Sequence, residues 1–319
     1  MPVTDGLTGK VSRRRTAPAG GSVDVVAREF DVAVGERRIR VRDAGDPERT
    51  PVLFFHGLGD SRLDLRLSEP LAEQLQMRLV SFDRPGYGSS TPAEFDLLSI
   101  ARDTEAVADR LRIERFAVFG QSAGSRFALA AATTLGDRVR CAGCASGTGP
   151  IHQVPGALNE LDGIDTLAYA LLPDDRAAAA NVYAAAFEPM ARTISEGDDH
   201  DVVAAFEAML APADSALLAD PLIRADAVEN ARESLRQGVM GMAWDAVSWL
   251  VPWPFGADDV TCPVQLWYGS DDTIPLAHGE WLADHLPRAR LTVWPGEGHL
   301  AYKRHLQEIS AVLIHGPSV

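Results

Sequence analysis

The spacing of apolar and polar positions changes several times along the chain, and each change marks an element. From about residue 23 short β-like runs cover residues 23–34 and 37–43, parted by Gly35 and Glu36, which predicts an opening hairpin. Further on the apolar runs become continuous, over residues 51–55, 78–82, 115–119, 139–145, 264–268 and 290–294. A strand covered by helices on both faces buries all its side chains, so unbroken runs of this length predict a parallel sheet. Between most of them apolar residues recur at helical spacing, over residues 67–76, 98–111, 126–135, 279–286 and 300–313. Strand and helix thus alternate, and the expected class is α/β, with a mostly parallel central sheet and helices on both faces.

The alternation stops over residues 151–255, where Ala-rich and acidic stretches favour helix and no strand pattern persists. The expected organisation is a tail over residues 1–22, a core built from 23–150 and 256–319, and a helical insertion over 151–255. The acidic run from Glu196 to Asp201 is expected to be a solvated loop.

Composition narrows the function classes. A chain of 319 residues, 46% of them hydrophobic, can bury one large core and carry an insertion. A formal net charge of -15 opposes phosphate backbones, so no nucleic-acid partner is expected. No segment offers about 18 uninterrupted apolar residues, so none is expected to span a bilayer. Arg13, Arg14 and Arg15 are followed by Thr-Ala-Pro-Ala-Gly-Gly-Ser rather than an apolar stretch, which argues against an export signal. The three cysteines are an odd number and give no disulfide framework, in keeping with a reducing, cytoplasmic location. Cys141 and Cys144 share C-x-x-C spacing but lie in a run of small apolar residues and are expected to pack; no metal and no cofactor is expected.

The strongest local signal is Gly120-Gln-Ser-Ala-Gly124, which follows a predicted strand directly and opens a predicted helix. In a sharp strand-to-helix turn the backbone is crowded, so glycines flank a serine that is thrust out at the carboxyl edge of the sheet. Three further segments accompany it: His56-Gly-Leu-Gly59 after an early strand, Asp83-Arg-Pro-Gly-Tyr-Gly-Ser-Ser90, and Gly296-Glu-Gly-His299 after the final strand. From about residue 23 to its end the chain resembles the α/β-hydrolase superfamily, in its esterase-like serine-hydrolase form with a helical cap.

A serine hydroxyl needs a base within hydrogen-bond reach, and the base needs an anion to fix its tautomer. His299 follows a strand near the chain end in a glycine-flanked loop, matching the nucleophile, acid, histidine order of this fold, and is the expected base for Ser122. The acid is Asp271 or Asp272: the family pattern resembles G-x-x-D-x-x-x-P, and Trp267-Tyr-Gly-Ser-Asp-Asp-Thr-Ile-Pro275 is one residue short of it. Counting from Gly269 selects Asp272, which is favoured; counting back from Pro275 selects Asp271. No Asp or Glu follows the strand ending at Ala145, the family's alternative acid position. The resemblance implies an oxyanion hole from the backbone N–H groups of Leu58 and Ala123, with His56 supporting that loop. Ser125, where many relatives have glycine, is expected to make a local backbone hydrogen bond.

The resemblance implies hydrolysis of a carboxylic ester, or a related acyl bond, of a small and largely apolar substrate through an acyl-enzyme. Serine rather than aspartate at the elbow argues against relatives that form an alkyl-enzyme ester. Cofactor-free perhydrolases or haloperoxidases and C–C bond hydrolases share the same triad, and the fold also serves as a non-catalytic interaction module. The insertion is expected to lie over the carboxyl edge of the sheet. Its Tyr169, Tyr183, Phe187, Met190, Trp244 and Trp249 are candidate lining groups, each expected to be cap core instead. No clear acidic anchor stands out, which leaves an aminopeptidase reading without support.

Overall fold

The computed structural model describes residues 27–65, 76–208 and 210–317. Its eight-stranded sheet contains β1 (Arg28–Val34), β2 (Arg37–Ala44), β3 (Thr50–Phe55), β4 (Met77–Phe82), β5 (Phe116–Gln121), β6 (Val139–Ala145), β7 (Val264–Gly269) and β8 (Ala289–Trp294). The order across the sheet is β1-β2-β4-β3-β5-β6-β7-β8. The β1–β2 hairpin is antiparallel and β2 runs antiparallel to β4, while every later pairing is parallel. Every residue of β4, β5 and β7 is buried, which is why their sequences are continuous rather than alternating.

Successive side chains of one strand serve two cores. Leu53 and Phe55 of β3 pack with Val118, Phe127 and Leu129, whereas Val52 and Phe54 pack with Phe119, Trp267 and Tyr302. The first face is covered by α1 (Leu97–Arg110) and α2 (Gly124–Leu135).

Between β6 and β7 the chain forms α3 (Gly163–Tyr169), α4 (Arg176–Glu196), α5 (Asp199–Glu207), the short α6 (Pro212–Ser215), α7 (Pro221–Ser234) and α8 (Met240–Leu250). Then come α9 (Leu276–His285) and α10 (Leu306–His315), whose Leu306, Ile309 and Leu313 close the second core. No helix among the described residues is long and apolar enough to cross a membrane.

Two expectations are corrected. The acidic run from Glu196 to Asp201 is a helix junction rather than a loop. The Asp198 side chain accepts from the N–H groups of His200 (2.8 Å) and Asp201 (3.0 Å), and Asp201 accepts from the Asp198 N–H (3.2 Å). Two aspartates three apart satisfy first-turn donors reciprocally, which a charge-run reading overlooks. The helix expected over residues 300–313 is broken instead, into a 3₁₀ turn at Ala301–Lys303 and α10. The tail over residues 1–22, and all but Gln76 of the helix expected over 67–76, lie outside the described residues.

Side-chain networks tie α7 and α8 to the sheet. Arg62 donates to Asp83 (2.6 Å), to Glu29 (3.0 Å) and to Glu233 of α7 (2.7 Å). Arg84 and Arg126 converge on Asp245 of α8, all three buried. A cavity of about 470 Å³ at the amino-terminal edge of the sheet is lined by Arg115, Arg140, Arg288 and Arg290. Two of these bond backbone carbonyls, Arg115 to Asp137 (3.1 Å) and Arg140 to Ile314 (3.0 Å), at the opposite edge from Ser122.

Candidate active site

β5 ends at Gln121, and Ser122 adopts φ +50°, a left-handed conformation unusual for a side-chain-bearing residue. Such strain costs about 1–3 kcal/mol and persists only where the surroundings over-determine it. Here the Ser122 N–H donates to Ala145 O (2.8 Å) and Ser122 O accepts from Ser125 N–H (3.0 Å). A Cβ on Gly120 would collide with Gly124 O and Ser125 Cα, and one on Gly124 with Phe55 O, so both flanking glycines answer to close approach. Ser125 Oγ donates to Gly120 O (3.0 Å), the local bond expected of it.

The β7 and β8 exits meet beside this turn. Asp272 Oδ1 lies 2.8 Å from His299 Nδ1 and accepts from Ile274 N–H (2.8 Å), with a side chain only 1% exposed. Asp271 is exposed, and its carboxylate accepts from the neighbouring Ser270 hydroxyl (2.9 Å). Of the two adjacent aspartates, Asp272 is therefore the one brought to His299. Burial pushes its carboxyl up, but the hydrogen bond and charge of His299 more than offset this, and its pKa lies below the usual value. An ionised Asp272 places the proton on Nδ1 and leaves Nε2 as an acceptor.

That acceptor faces Gln121 Nε2 at 3.1 Å, while Ser122 Oγ makes no hydrogen bond among the described residues. Catalytic hydrogen bonds are often long or absent before substrate binds, so the contact describes a resting arrangement.

Leu58 and Ala123 flank Ser122 on the wall of one cavity. The loop carrying Leu58 is anchored from below: Arg84 donates to His56 O (2.7 Å) and Gly57 O (3.0 Å). His56 is buried, its Nδ1 lies 2.9 Å from Gly57 O, and burial together with Arg84 and Arg62 holds its pKa well below the ordinary histidine value. It supports the loop as a neutral ring.

The cavity measures about 280 Å³. All six candidate aromatic and Met side chains pack in or against the first core, as expected, and three of them, Tyr183, Phe187 and Trp249, also line the cavity. The wall also carries Asp162 and Asp165, where no acidic anchor was expected. Much of their capacity is already used. Asp162 Oδ1 caps α3 through the N–H groups of Ile164 (2.7 Å) and Asp165 (2.8 Å), and Asp165 Oδ1 accepts from the Tyr183 hydroxyl (2.5 Å).

Sequence reasoning missed Asp214, which sits in α6 amid an Ala- and Leu-rich run. Its fully buried carboxylate accepts from the N–H groups of His299 and Leu300, both at 2.8 Å, and a Cβ on Gly298 would strike it. Asp214→Ala strands two donors in the loop that aims His299. An orphaned buried donor costs about 1–3 kcal/mol, so a lower melting temperature is expected, with kcat reduced more than KM. Unchanged kcat in a destabilised variant would show that the loop keeps its aim without Asp214.

The three free cysteines are buried, and burial pushes the Cys144 thiol up to about 12, which removes the reactive thiolate.

A family model described as alpha/beta hydrolase fold matches residues 50–306. A pimeloyl-[acyl-carrier protein] methyl ester esterase of Aromatoleum aromaticum is 46% identical over 63 residues, 19% of this chain and 25% of that protein. A probable proline iminopeptidase of Leptolyngbya boryana is 34% identical over 107 residues, 31% of this chain and 32% of that protein. The chain thus spans about a quarter to a third of the length of these curated relatives. Among solved structures, a bromoperoxidase from Bacillus anthracis superposes with TM-score 0.65 at 17% identity, covering 90% of this chain and 99% of that one. One of the carboxylesterases of Nitrososphaera gargenis gives 0.64 at 17%, covering 90% and 97%. At such identity the likeness concerns the fold.

Proposed function

Since the chain belongs to the alpha/beta hydrolase fold family, we propose that it is a serine hydrolase that cleaves a carboxylic ester of a small, largely apolar substrate through an acyl-enzyme. The observation that carries the reading is Ser122, strained at φ +50° on the elbow beside a histidine whose Nδ1 is paired to a buried carboxylate at 2.8 Å. Ser122 Oγ attacks the ester carbonyl carbon and His299 Nε2 takes its proton. The carbonyl oxygen, now an anion, is met by the N–H groups of Leu58 and Ala123, and each such donor is worth about 10²–10³ in kcat. The tetrahedral intermediate collapses, His299 returns the proton to the departing alcohol, and water then repeats the sequence on the acyl-enzyme. The helices between β6 and β7 act as the cap, and Tyr183, Phe187 and Trp249 give the acyl or alcohol group an apolar wall.

The test is labelling with a fluorophosphonate probe alongside turnover of p-nitrophenyl acetate and butyrate. Wild type is expected to label and turn over, and Ser122→Ala to do neither. Intact wild-type protein that neither labels nor cleaves either ester would sink the reading.

A second reading, release of an amine-bearing acyl group from an amide, is favoured by Asp162 and Asp165 on the cavity wall. It predicts cleavage of proline p-nitroanilide in preference to p-nitrophenyl butyrate and loss of that preference in Asp162→Asn.

A further inference from the structure

The contact between Gln121 and His299 leaves the other end of the glutamine amide unexplained. Gln121 is 2% exposed, and its Oε1 is buried with no hydrogen-bond partner among the described residues. A buried carbonyl oxygen without a donor costs free energy and calls for one. The group that approaches it is a carboxyl: a Cβ built on Gly57 would strike both Gln121 Oε1 and Asp60 Oδ2, so the two oxygens converge on one small space beside the oxyanion loop. A proton on that carboxyl would supply the donor that Gln121 Oε1 lacks.

The surroundings of Asp60 favour that proton. Asn230 of α7 donates to Asp60 Oδ1 (2.7 Å), while Asp64 stands nearby on the same loop, with both its oxygens held by the Tyr302 hydroxyl (3.0 and 2.8 Å) and one by Lys303 (2.6 Å). Burial and the charge of Asp64 push the Asp60 carboxyl up, while Lys303, Asn230 and His299 pull the other way; the balance is a pKa of about 7.

We propose that Gln121 and Asp60 are positioning residues for the catalytic base: while Asp60 is protonated, the Gln121 amide holds the His299 Nε2 lone pair away from Ser122, and ionisation of Asp60 releases it. The proposal rests on the serine-hydrolase reading above. In the held state the Asp60 O–H donates to Gln121 Oε1, and a Gln121 N–H donates to His299 Nε2. When the Asp60 proton leaves to solvent, the carboxylate repels Oε1 and attracts the NH₂ group, so the amide turns over. Its oxygen then faces His299, repels the neutral lone pair toward the Ser122 hydroxyl, and steadies the imidazolium formed once the serine proton has moved. Both effects aid attack, and the device is closed below the Asp60 pKa and open above it.

The test uses the rate of fluorophosphonate labelling and kcat/KM for p-nitrophenyl acetate between pH 5 and 9. Wild type is expected to gain activity over an acidic limb steeper than a single proton gives, Asp60 supplying the additional one. Asp60→Asn keeps a donor facing Gln121 Oε1 at every pH, so it is expected to show a one-proton limb. It should also be about five- to tenfold slower than wild type at pH 8, the worth of one hydrogen bond that must be broken. Gln121→Met cannot hold the lone pair, so a one-proton limb is expected together with faster labelling than wild type at pH 6. Labelling of wild type with the same pH profile in both variants overturns the proposal and leaves the serine-hydrolase reading standing. So does an Asp60→Asn profile like that of wild type where Gln121→Met does not fold. Wild type that fails to label overturns the reading itself, and the positioning role with it.

Discussion

Asp272→Asn is expected to lower kcat about 10⁴-fold with the fold intact, the loss that follows when a triad histidine is held in the wrong tautomer. The reason lies in one contact. Asp272 Oδ1 meets His299 Nδ1 at 2.8 Å from a site 1% exposed, so its ionised form fixes the proton on Nδ1. An asparagine there can present its own N–H to Nδ1, which forces the proton to Nε2 and removes the lone pair that Ser122 needs. Asp271→Asn should stay within about fivefold of wild type, because an exposed carboxylate bonded to a neighbouring hydroxyl contributes roughly 1 kcal/mol or less. The measurement is kcat on p-nitrophenyl butyrate with the melting temperature recorded for each variant. Equal mild losses at the two positions would refute the assignment of a single acid.

The gap between these two adjacent residues also marks where sequence stops being informative. Strands are legible because each carries its pattern within a short run: β6 lies over residues 139–145 as its composition requires, and the elbow is legible because its glycines sit at fixed spacing around Ser122, although only Gly120 answers to neighbours a few residues on, Gly124 answering to Phe55 on the adjacent strand. The choice between Asp271 and Asp272 depends instead on how the β7 exit meets the β8 exit, where a Cβ on Gly269 would strike Glu297 O. That is a tertiary fact, and residue counting left it open. Asp214 was harder still: its partners lie 85 and 86 residues away, and a single aspartate in a run of alanines and leucines carries no local sign of them. Gln121 stood in plain view inside the motif, yet the motif describes the glycines and the serine and is indifferent to the residue between. Helical spacing likewise says which cap aromatics share a face and pack into the core, but not which of them also reach the cavity, as Tyr183, Phe187 and Trp249 do.

The other large effect is expected at a residue with no sequence signal. Asp245→Leu should destabilise the protein by about 3–5 kcal/mol, because removing one partner of a buried ion pair leaves its charge uncompensated. Two such charges depend on Asp245. Its Oδ2 takes Arg84 and the Tyr87 hydroxyl (2.8 Å), its Oδ1 takes Arg126 (2.9 Å), and all three charged side chains are at most 4% exposed. At roughly 2–4 °C per kcal/mol for a chain somewhat smaller than this one, the melting temperature should fall by about 10 °C, read by circular dichroism. Activity should fall too, because Arg84 also clamps the His56 and Gly57 carbonyls that set the Leu58 N–H. Adding Arg126→Met to Asp245→Leu separates the two effects. It removes one of the stranded charges and should recover part of the lost stability, but it leaves Arg84 without its carboxylate, so kcat should stay low. Full recovery of both quantities would mean that the loop carrying Leu58 does not depend on the pairing of Arg84 with Asp245, and that Asp245 matters only as a counter-charge to Arg126.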